Sequence, residues 1–313
     1  MLKKTAKTLL CLFLALCTVS ALLTFGAAAA AGSGDADNDG RVTAADARLA
    51  LRCSVGLETL GSSAKAAADM DGDGRVTAED ARRILRKSVG LPPEGQLTEK
   101  DLPADAKILY LTFDDGPSAR TAEVLDILDR YNAKATFFVV NGYSYNYMYK
   151  EVVDRGHSIG LHSYTHEYSD IYRNTDAYFN DLNKISDAVY NVAGVRTNLI
   201  RFPGGSSNTV SRSYCRGIMS VLTKEVDRRG YVYFDWNSDN GDATGVTMTA
   251  YEMYQTAVAY AGPSRLVMLM HDASYKGTTV KALPMIIEYY QSHGYYLIGL
   301  NENSPTAHHY VSN

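Results

Sequence analysis

The sequence predicts an α/β barrel of about seven strands, preceded by a small all-α unit. Three observations carry this expectation. From residue 105 short apolar runs alternate with longer amphipathic segments, several of those runs end in a reactive side chain, and an acidic motif recurs near the N-terminus. The chain has 313 residues, more than one average domain, and 46% of them are hydrophobic, which suffices for a real core. Formal charge is -4 and no basic tract follows residue 10, which argues against nucleic acid as a partner.

Lys3, Lys4 and Lys7 precede an apolar stretch from Leu9 to Phe25, and Ala27 to Ala31 offer small residues for cleavage. Residues 1–31 therefore read as a secretory signal peptide, which places the mature protein outside the cell or at its surface. A retained membrane anchor is the alternative, because the apolar stretch approaches the length of a span. Removing the segment takes away three lysines and moves the formal charge from -4 to about -7. Only Cys53 and Cys215 then remain, one in each expected domain, as free thiols rather than a disulfide framework.

Next comes a repeat with an offset of 34 residues. Asp35-Ala36-Asp37-Asn38-Asp39-Gly40-Arg41-Val42-Thr43 is matched by Asp69-Met70-Asp71-Gly72-Asp73-Gly74-Arg75-Val76-Thr77, and both copies continue to an Asp, Asp46 or Asp80. Carboxylates at loop positions 1, 3, 5 and 12 with Gly at 6 form the EF-hand pattern, in which alternating oxygens converge on one calcium ion. Arg41 and Arg75, at position 7, contribute backbone carbonyls. Aspartate at position 12 shortens the last arm, so each loop must close more tightly. Thr43 and Thr77 are placed to cap the following helices with Asp46 and Asp80, and the helices should end near Gly56 and Gly90. Over residues 35–91 this pattern resembles a dockerin domain, which implies a cohesin-bearing scaffold protein as partner. Ala44-Ala45 and Ala78-Glu79, where dockerins read that partner, lack hydroxyls. The other reading is a calcium-stiffened spacer without a cohesin. A short proline-containing linker, 92–104, follows.

Within 105–303 the strand-like runs are 108–113, 135–140, 158–162, 198–202, 231–236, 265–270 and 295–300. Segments Glu123–Tyr131 and Val280–Ser292 have helical apolar spacing. Asp114, His162, Arg201 and His271 stand at or just past run ends, where parallel α/β folds collect their chemistry. Asp114-Asp115 is a pair of like charges that repel unless a cation sits beside them. One Asp with the two imidazoles of His162 and His166 is the donor set of a catalytic zinc that keeps one position open. Taken singly, the Asp pair could be a helix cap, the His pair a surface feature, Arg201 an ion-pair partner and His271 a core residue. Their joint occurrence at strand ends favours one site.

These segments resemble the polysaccharide deacetylase (NodB-homology) family, carbohydrate esterase family 4. They are Thr112-Phe113-Asp114-Asp115-Gly116, His162-Ser163-Tyr164-Thr165-His166, Arg201-Phe202-Pro203-Gly204-Gly205, an acidic segment at 235–242, and Leu269-Met270-His271. The resemblance implies a distorted (β/α) barrel and metal-assisted removal of acetyl groups from sugars. It assigns Asp115, His162 and His166 to the metal, for which zinc is the choice, though another divalent transition metal would fit. Asp114 becomes the general base, with Arg201 pairing with it and keeping it ionised. His271 becomes the general acid, with Asp242 as the carboxylate that raises its pKa, and a backbone N–H near Gly204 helps hold the oxyanion.

Two departures stand out. The family's Asp-Trp falls on Asp242-Ala243, which leaves one wall of the acid site undefined, while a literal Asp-Trp occurs at Asp235-Trp236. Gly204 replaces a bulky residue and should open the site. A tyrosine cluster at 143–149 is either a sugar-stacking surface or a packed loop or helix. The resemblance implies a secreted deacetylase of N-acetylglucosamine-containing glycans, peptidoglycan or chitooligosaccharide. The dockerin-like unit raises the alternative of an acetylxylan esterase on a cohesin scaffold. An alternative of another class is a catalytically silent glycan- or scaffold-binding protein.

Overall fold

The computed structural model describes residues 32–70, 72, 74–89 and 97–313. The signal segment, Asp71, Asp73, Gly90 and residues 92–96 of the expected linker lie outside the described residues. Two compact units divide the chain, Met1–Pro93 and Glu94–Asn313.

The first unit is helical, with α1 at Ala44–Ser54, α2 at Ser62–Ala68 and α3 at Ala78–Ser88. Thr43 caps α1 through a reciprocal box with Asp46. Asp46 is fully buried and also accepts the backbone N–H of Asp37 at 3.1 Å. The second repeat copies this, with Asp80 accepting from Met70 N and Thr77 N, both at 2.8 Å. Each last carboxylate thus closes its loop onto the following helix. In the first loop Asp35, Asp37 and Asp39 bring carboxylate oxygens within 4.8 Å of one another. The sequence did not announce α2, because Ser62-Ser63-Ala64-Lys65-Ala66-Ala67-Ala68 has no apolar period; it forms by burying Ala67 and Ala68. Ala36, Ala47, Ala50, Ala68, Ala81 and Ile84 make this unit's small core.

The second unit is an α/β barrel that curls without closing. Its strands are β1 (Lys107–Asp114), β2 (Ala135–Val139), β3 (Ser158–Leu161), β4 (Leu199–Ile200), β5 (Val232–Tyr233), β6 (Ser238–Asp239), β7 (Arg265–His271) and β8 (Tyr295–Leu297). All pairings are parallel, in the order β5-β4-β3-β2-β1-β7-β6, with β8 added beside the start of β1. Seven strands coincide with the seven apolar runs. The eighth, β6, was invisible in the sequence because two polar residues carry no alternation. The covering helices are α4 (Ala119–Arg130), α5 (Met148–Asp154), α6 (Tyr168–Ile171), α7 (Thr175–Ala193), α8 (Ile218–Arg228), α9 (Ala250–Val258) and α10 (Gly277–Ser292).

Parallel strands bury both faces, and the strand period of two divides their side chains between two cores. On β1, Leu109, Leu111 and Phe113 join the large core under the helices, whereas Ile108 and Tyr110 join a smaller one inside the curl. Continuing the inward set gives Thr112 and then Asp114. The register of the strand therefore aims Asp114 into the barrel mouth. The open side, between β5 and β6, is covered by the C-terminal segment: Asp235 N donates to Ala307 O at 3.2 Å, His308 stacks on Tyr233 at 3.7 Å, and Ser220 N donates to Asn313 O at 2.7 Å.

Close sheet packing makes Gly160 on β3 irreplaceable. A Cβ there would lie 2.5 Å from the Phe138 ring of β2, and that ring is fully buried. Gly160→Ala should lower unfolding stability by about 1–3 kcal/mol through overpacking. Denaturant melts with an unchanged midpoint would contradict this packing.

Candidate active site

The site is built on the C-terminal ends of β1, β3, β4 and β7. Asp114 is the last residue of β1 and Asp115 the first beyond it, turned by a left-handed backbone with φ of 70°. That turn sends the two carboxylates in different directions. Gly116 follows because a side chain there would collide with the carboxylate of Asp272. Burial pushes Asp272 up to about 7, and its Oδ2 accepts from Thr121 Oγ1.

Asp114 Oδ1 accepts from Arg201 Nη1 at 2.9 Å, while Oδ2 lies 4.0 Å from His162 Nε2. Arg201 begins the loop after β4 and is fully buried. Its Nε donates to Phe234 O at 2.9 Å, Nη1 also to Thr112 Oγ1 at 2.7 Å, and Nη2 to Asp235 O at 2.9 Å. The guanidinium lies 4.4 Å from the Phe138 ring centroid. The sequence expects Arg201 to pair with Asp114, and the two are hydrogen-bonded. Burial is the largest influence on the Asp114 carboxyl and raises it above its ordinary value, while Arg201 and His271 work the other way.

Asp115, His162 and His166 converge. Asp115 Oδ1 lies 3.5 Å from His162 Nε2 and 3.3 Å from His166 Nε2. His162 follows β3, and its Nδ1 meets Arg201 O at 2.8 Å. That carbonyl fixes the proton on Nδ1 and leaves Nε2 with its lone pair toward the site. Burial lowers the His162 pKa to about 3, so the ring is neutral, as a ligand must be. Asp115 Oδ1 is buried without a hydrogen-bond partner among the described residues. An orphaned carboxylate oxygen facing two imidazole nitrogens fits a divalent cation.

His166 is placed by a loop that hangs on Asp181 of α7. Asp181 accepts from Ser163 Oγ (2.6 Å), Tyr164 N (2.7 Å), Thr165 N (3.0 Å) and Thr165 Oγ1 (2.9 Å), and Ser163 Oγ in turn accepts from His166 N at 2.9 Å. Asp181 escaped the sequence reading. Its only signal is a carboxylate on the buried face of an amphipathic helix.

Opposite the triad, His271 closes β7. Its Nδ1 meets Asp242 Oδ1 at 2.8 Å, and its backbone N donates to Asp242 Oδ2 at 2.9 Å. Thr279 Oγ1 also donates to Oδ2, and Lys276 Nζ to the Asp242 carbonyl. Burial alone would lower His271, but the hydrogen bond and charge of Asp242, then Asp114 and Asp115, outweigh it and hold its pKa above ordinary. Burial likewise works to raise Asp242, and its bond to His271 reverses that into a net lowering.

The cavity between these groups is lined by Asp114, Asp115, His162, His166, Tyr168, Gly204, Trp236, Ala243, Leu269 and His271. Trp236 and Ala243 both line this cavity. Gly204 does not simply open the site, because the Tyr168 hydroxyl stands where a side chain would go. Asp235, beside Trp236, holds the loop after β4 and the C-terminal segment by accepting from Ser206 N at 2.7 Å and from His309 N at 2.8 Å. The tyrosine cluster splits: Tyr149 is buried, whereas Tyr143 is 82% exposed. The calcium-loop residues Asp35, Asp37, Asp39, Arg41, Asp46, Asp69, Arg75 and Asp80 belong to the first unit.

Residues 101–217 match the polysaccharide deacetylase family, and residues 33–87 match the dockerin type I domain. The chain is similar to the crystal structure of the catalytic domain of peptidoglycan N-acetylglucosamine deacetylase from Eubacterium rectale. Identity is 41% and TM-score 0.65, covering 68% of this chain and 96% of that one. It is 32% identical over 195 residues to YheN of Bacillus subtilis, covering 60% of this chain and 65% of that protein. It is also 32% identical over 204 residues to a bifunctional xylanase/deacetylase from Pseudobutyrivibrio xylanivorans, covering 63% of this chain and 30% of that protein. The chain thus spans less than two thirds of the length of both curated relatives.

The acid pair has a signed pH dependence. Lowered Asp242 contributes stability above the ordinary carboxylate value of 3.8, lost as pH falls through its folded value. Raised His271 contributes below the ordinary imidazole value of 6.5, lost as pH rises through its folded value. The pair is therefore most stabilising between those two values. An NMR titration should place His271 above 6.5 in the wild type and lower in Asp242→Asn, where only Asp114 and Asp115 still oppose burial. The same midpoint in both proteins would contradict the pairing.

Proposed function

This chain belongs to the polysaccharide deacetylase family, and on that premise we propose that it is a secreted, metal-dependent enzyme removing acetyl groups from N-acetylglucosamine-containing glycans. The supporting observation is the division of the two carboxylates. Asp115 offers an unpaired oxygen to two imidazole nitrogens, whereas Asp114 is drawn aside by Arg201 and keeps Oδ2 toward the cavity.

Asp115, His162 and His166 hold the metal, for which zinc suits the nitrogen and oxygen donors. Bound there, the ion supplies a Lewis acid for the acetyl carbonyl and makes water more acidic. Asp114 Oδ2 accepts the proton of the attacking water, and Arg201 fixes the angle from which it does so. His271, kept protonated by Asp242, delivers a proton to the departing amine nitrogen as the carbon–nitrogen bond breaks. The products are acetate and the free amine. Trp236 and Leu269 wall the cavity and limit water.

We assign residues 35–91 to calcium binding and cohesin recognition, with Asp35, Asp37, Asp39, Asp46, Asp69, Asp71, Asp73 and Asp80 supplying carboxylates and Arg41 and Arg75 backbone carbonyls. The signal-like composition of residues 1–31 supports export. A second reading, an acetylxylan esterase on a scaffold, is favoured by the dockerin type I match together with the xylanase/deacetylase relative. The likeness to a peptidoglycan N-acetylglucosamine deacetylase favours the first.

Acetate release from chitooligosaccharides, peptidoglycan and acetylated xylan decides between them. We expect release from the N-acetylated glycans, abolished by chelator and restored by zinc. Asp114→Asn should keep zinc and lose activity by roughly 10²- to 10⁴-fold, whereas His162→Ala should lose zinc itself. Release from xylan alone would overturn the substrate assignment. No release from any glycan with zinc restored would leave a binding protein instead, and equal zinc in wild type and His162→Ala would refute the ligand assignment.

A further inference from the structure

Two hydrogen-bond donors stand close together in the cavity wall, neither with an acceptor among the described residues. One is the Gly204 N–H, which makes no hydrogen bond among the described residues. The other is the Tyr168 hydroxyl, which makes none either, although its ring lines the cavity. They are neighbours: a Cβ on Gly204 would lie 2.6 Å from Tyr168 Oη and 3.4 Å from its Cζ. The phenol therefore stands in the space that a larger residue at 204 would fill.

Tyr168 is held there firmly. Its ring lies 5.6 Å from that of His166 and packs edge-on against Tyr172 at 5.4 Å. Tyr172 in turn donates its hydroxyl to Pro203 O at 2.7 Å, within the same loop that presents Gly204. Ring stack and loop form one body, so the two donors keep a fixed separation. Fixed donors without acceptors, beside a candidate metal triad, are suited to charge that develops only during reaction.

Resting on the deacetylase reading, we propose that Tyr168 is a catalytic residue that donates a hydrogen bond to the acetyl oxygen as it becomes an oxyanion, alongside the Gly204 N–H. Water oxygen bonds to the carbonyl carbon, its proton passes to Asp114, and the carbonyl π pair moves onto the acetyl oxygen between the two donors. When the carbon–nitrogen bond breaks, that pair re-forms the C=O, and the nitrogen takes its proton from His271. Tyr168 keeps its own proton throughout. It also substitutes for the wall lost at Gly204, so this chain replaces a bulky side chain in one loop by a hydroxyl from another.

Tyr168→Phe removes the hydroxyl and keeps the ring. On an N-acetylated chitooligosaccharide, kcat and kcat/KM should both fall about 10- to 100-fold with KM unchanged, as expected when a bond to a charged group is lost only in the transition state. Zinc content and thermal midpoint should match the wild type, which a packing role would not predict. A methylphosphonamidate of glucosamine, a tetrahedral mimic, should bind the variant more weakly by a similar factor. Wild-type kcat in Tyr168→Phe, a rise in KM alone, or loss of zinc would each overturn the assignment. An inactive wild type would instead sink the deacetylase reading and this assignment with it, whereas an active wild type beside an equally active variant removes the assignment alone.

Discussion

The site depends on one buried cation. Arg201 has no solvent exposure, and four of its five guanidinium N–H groups donate to described residues: two backbone carbonyls at 234 and 235, the Thr112 hydroxyl and Asp114. An unpaired charge at that depth would cost several kcal/mol, so the surroundings must be built to match it. The Arg201 carbonyl meanwhile meets His162 Nδ1. A single residue thus aims the candidate base, fixes the tautomer of a candidate ligand, and ties the ends of β1, β3 and β4 to the segment after β5.

The separation of the adjacent carboxylates follows from this. Neighbouring aspartates at a strand end would otherwise compete for one cation and raise each other's pKa. The left-handed backbone at Asp115 turns its side chain toward the two imidazoles, and Arg201 draws Asp114 the other way. Across the cavity the charges reverse, with Asp242 holding a proton on His271. A buried carboxylate of raised pKa and an imidazole of raised pKa then face each other, a polarity that suits taking a proton on one side and giving one on the other.

Much of this was legible in the sequence because it is local. Short apolar runs mark seven strands, and chemistry-bearing residues at strand ends mark the rim. The repeat of Asp35 at Asp69 marks the helical unit. Asp242 could be matched to His271 only by register, yet the two are bonded at 2.8 Å. What stayed hidden is long-range. Tyr168 reaches Gly204 across 36 positions, Asp181 supports the His166 loop from a helix, and Trp236 lines the cavity from the segment after β5. None leaves a local pattern, because each acts by filling space or satisfying donors that another segment leaves open. The short polar strand β6 and the alanine-rich α2 were missed for a related reason: tertiary packing, not periodicity, forms them.

The central claim is that Arg201 reserves Asp114 for proton transfer and leaves Asp115 to the cation. Anomalous diffraction at the zinc edge on crystals grown with zinc tests it directly. The account predicts one peak in the catalytic unit, bonded to Asp115 Oδ1, His162 Nε2 and His166 Nε2, with Asp114 still on Arg201. A peak bonded to Asp114, or to both aspartates with Arg201 released, would contradict it.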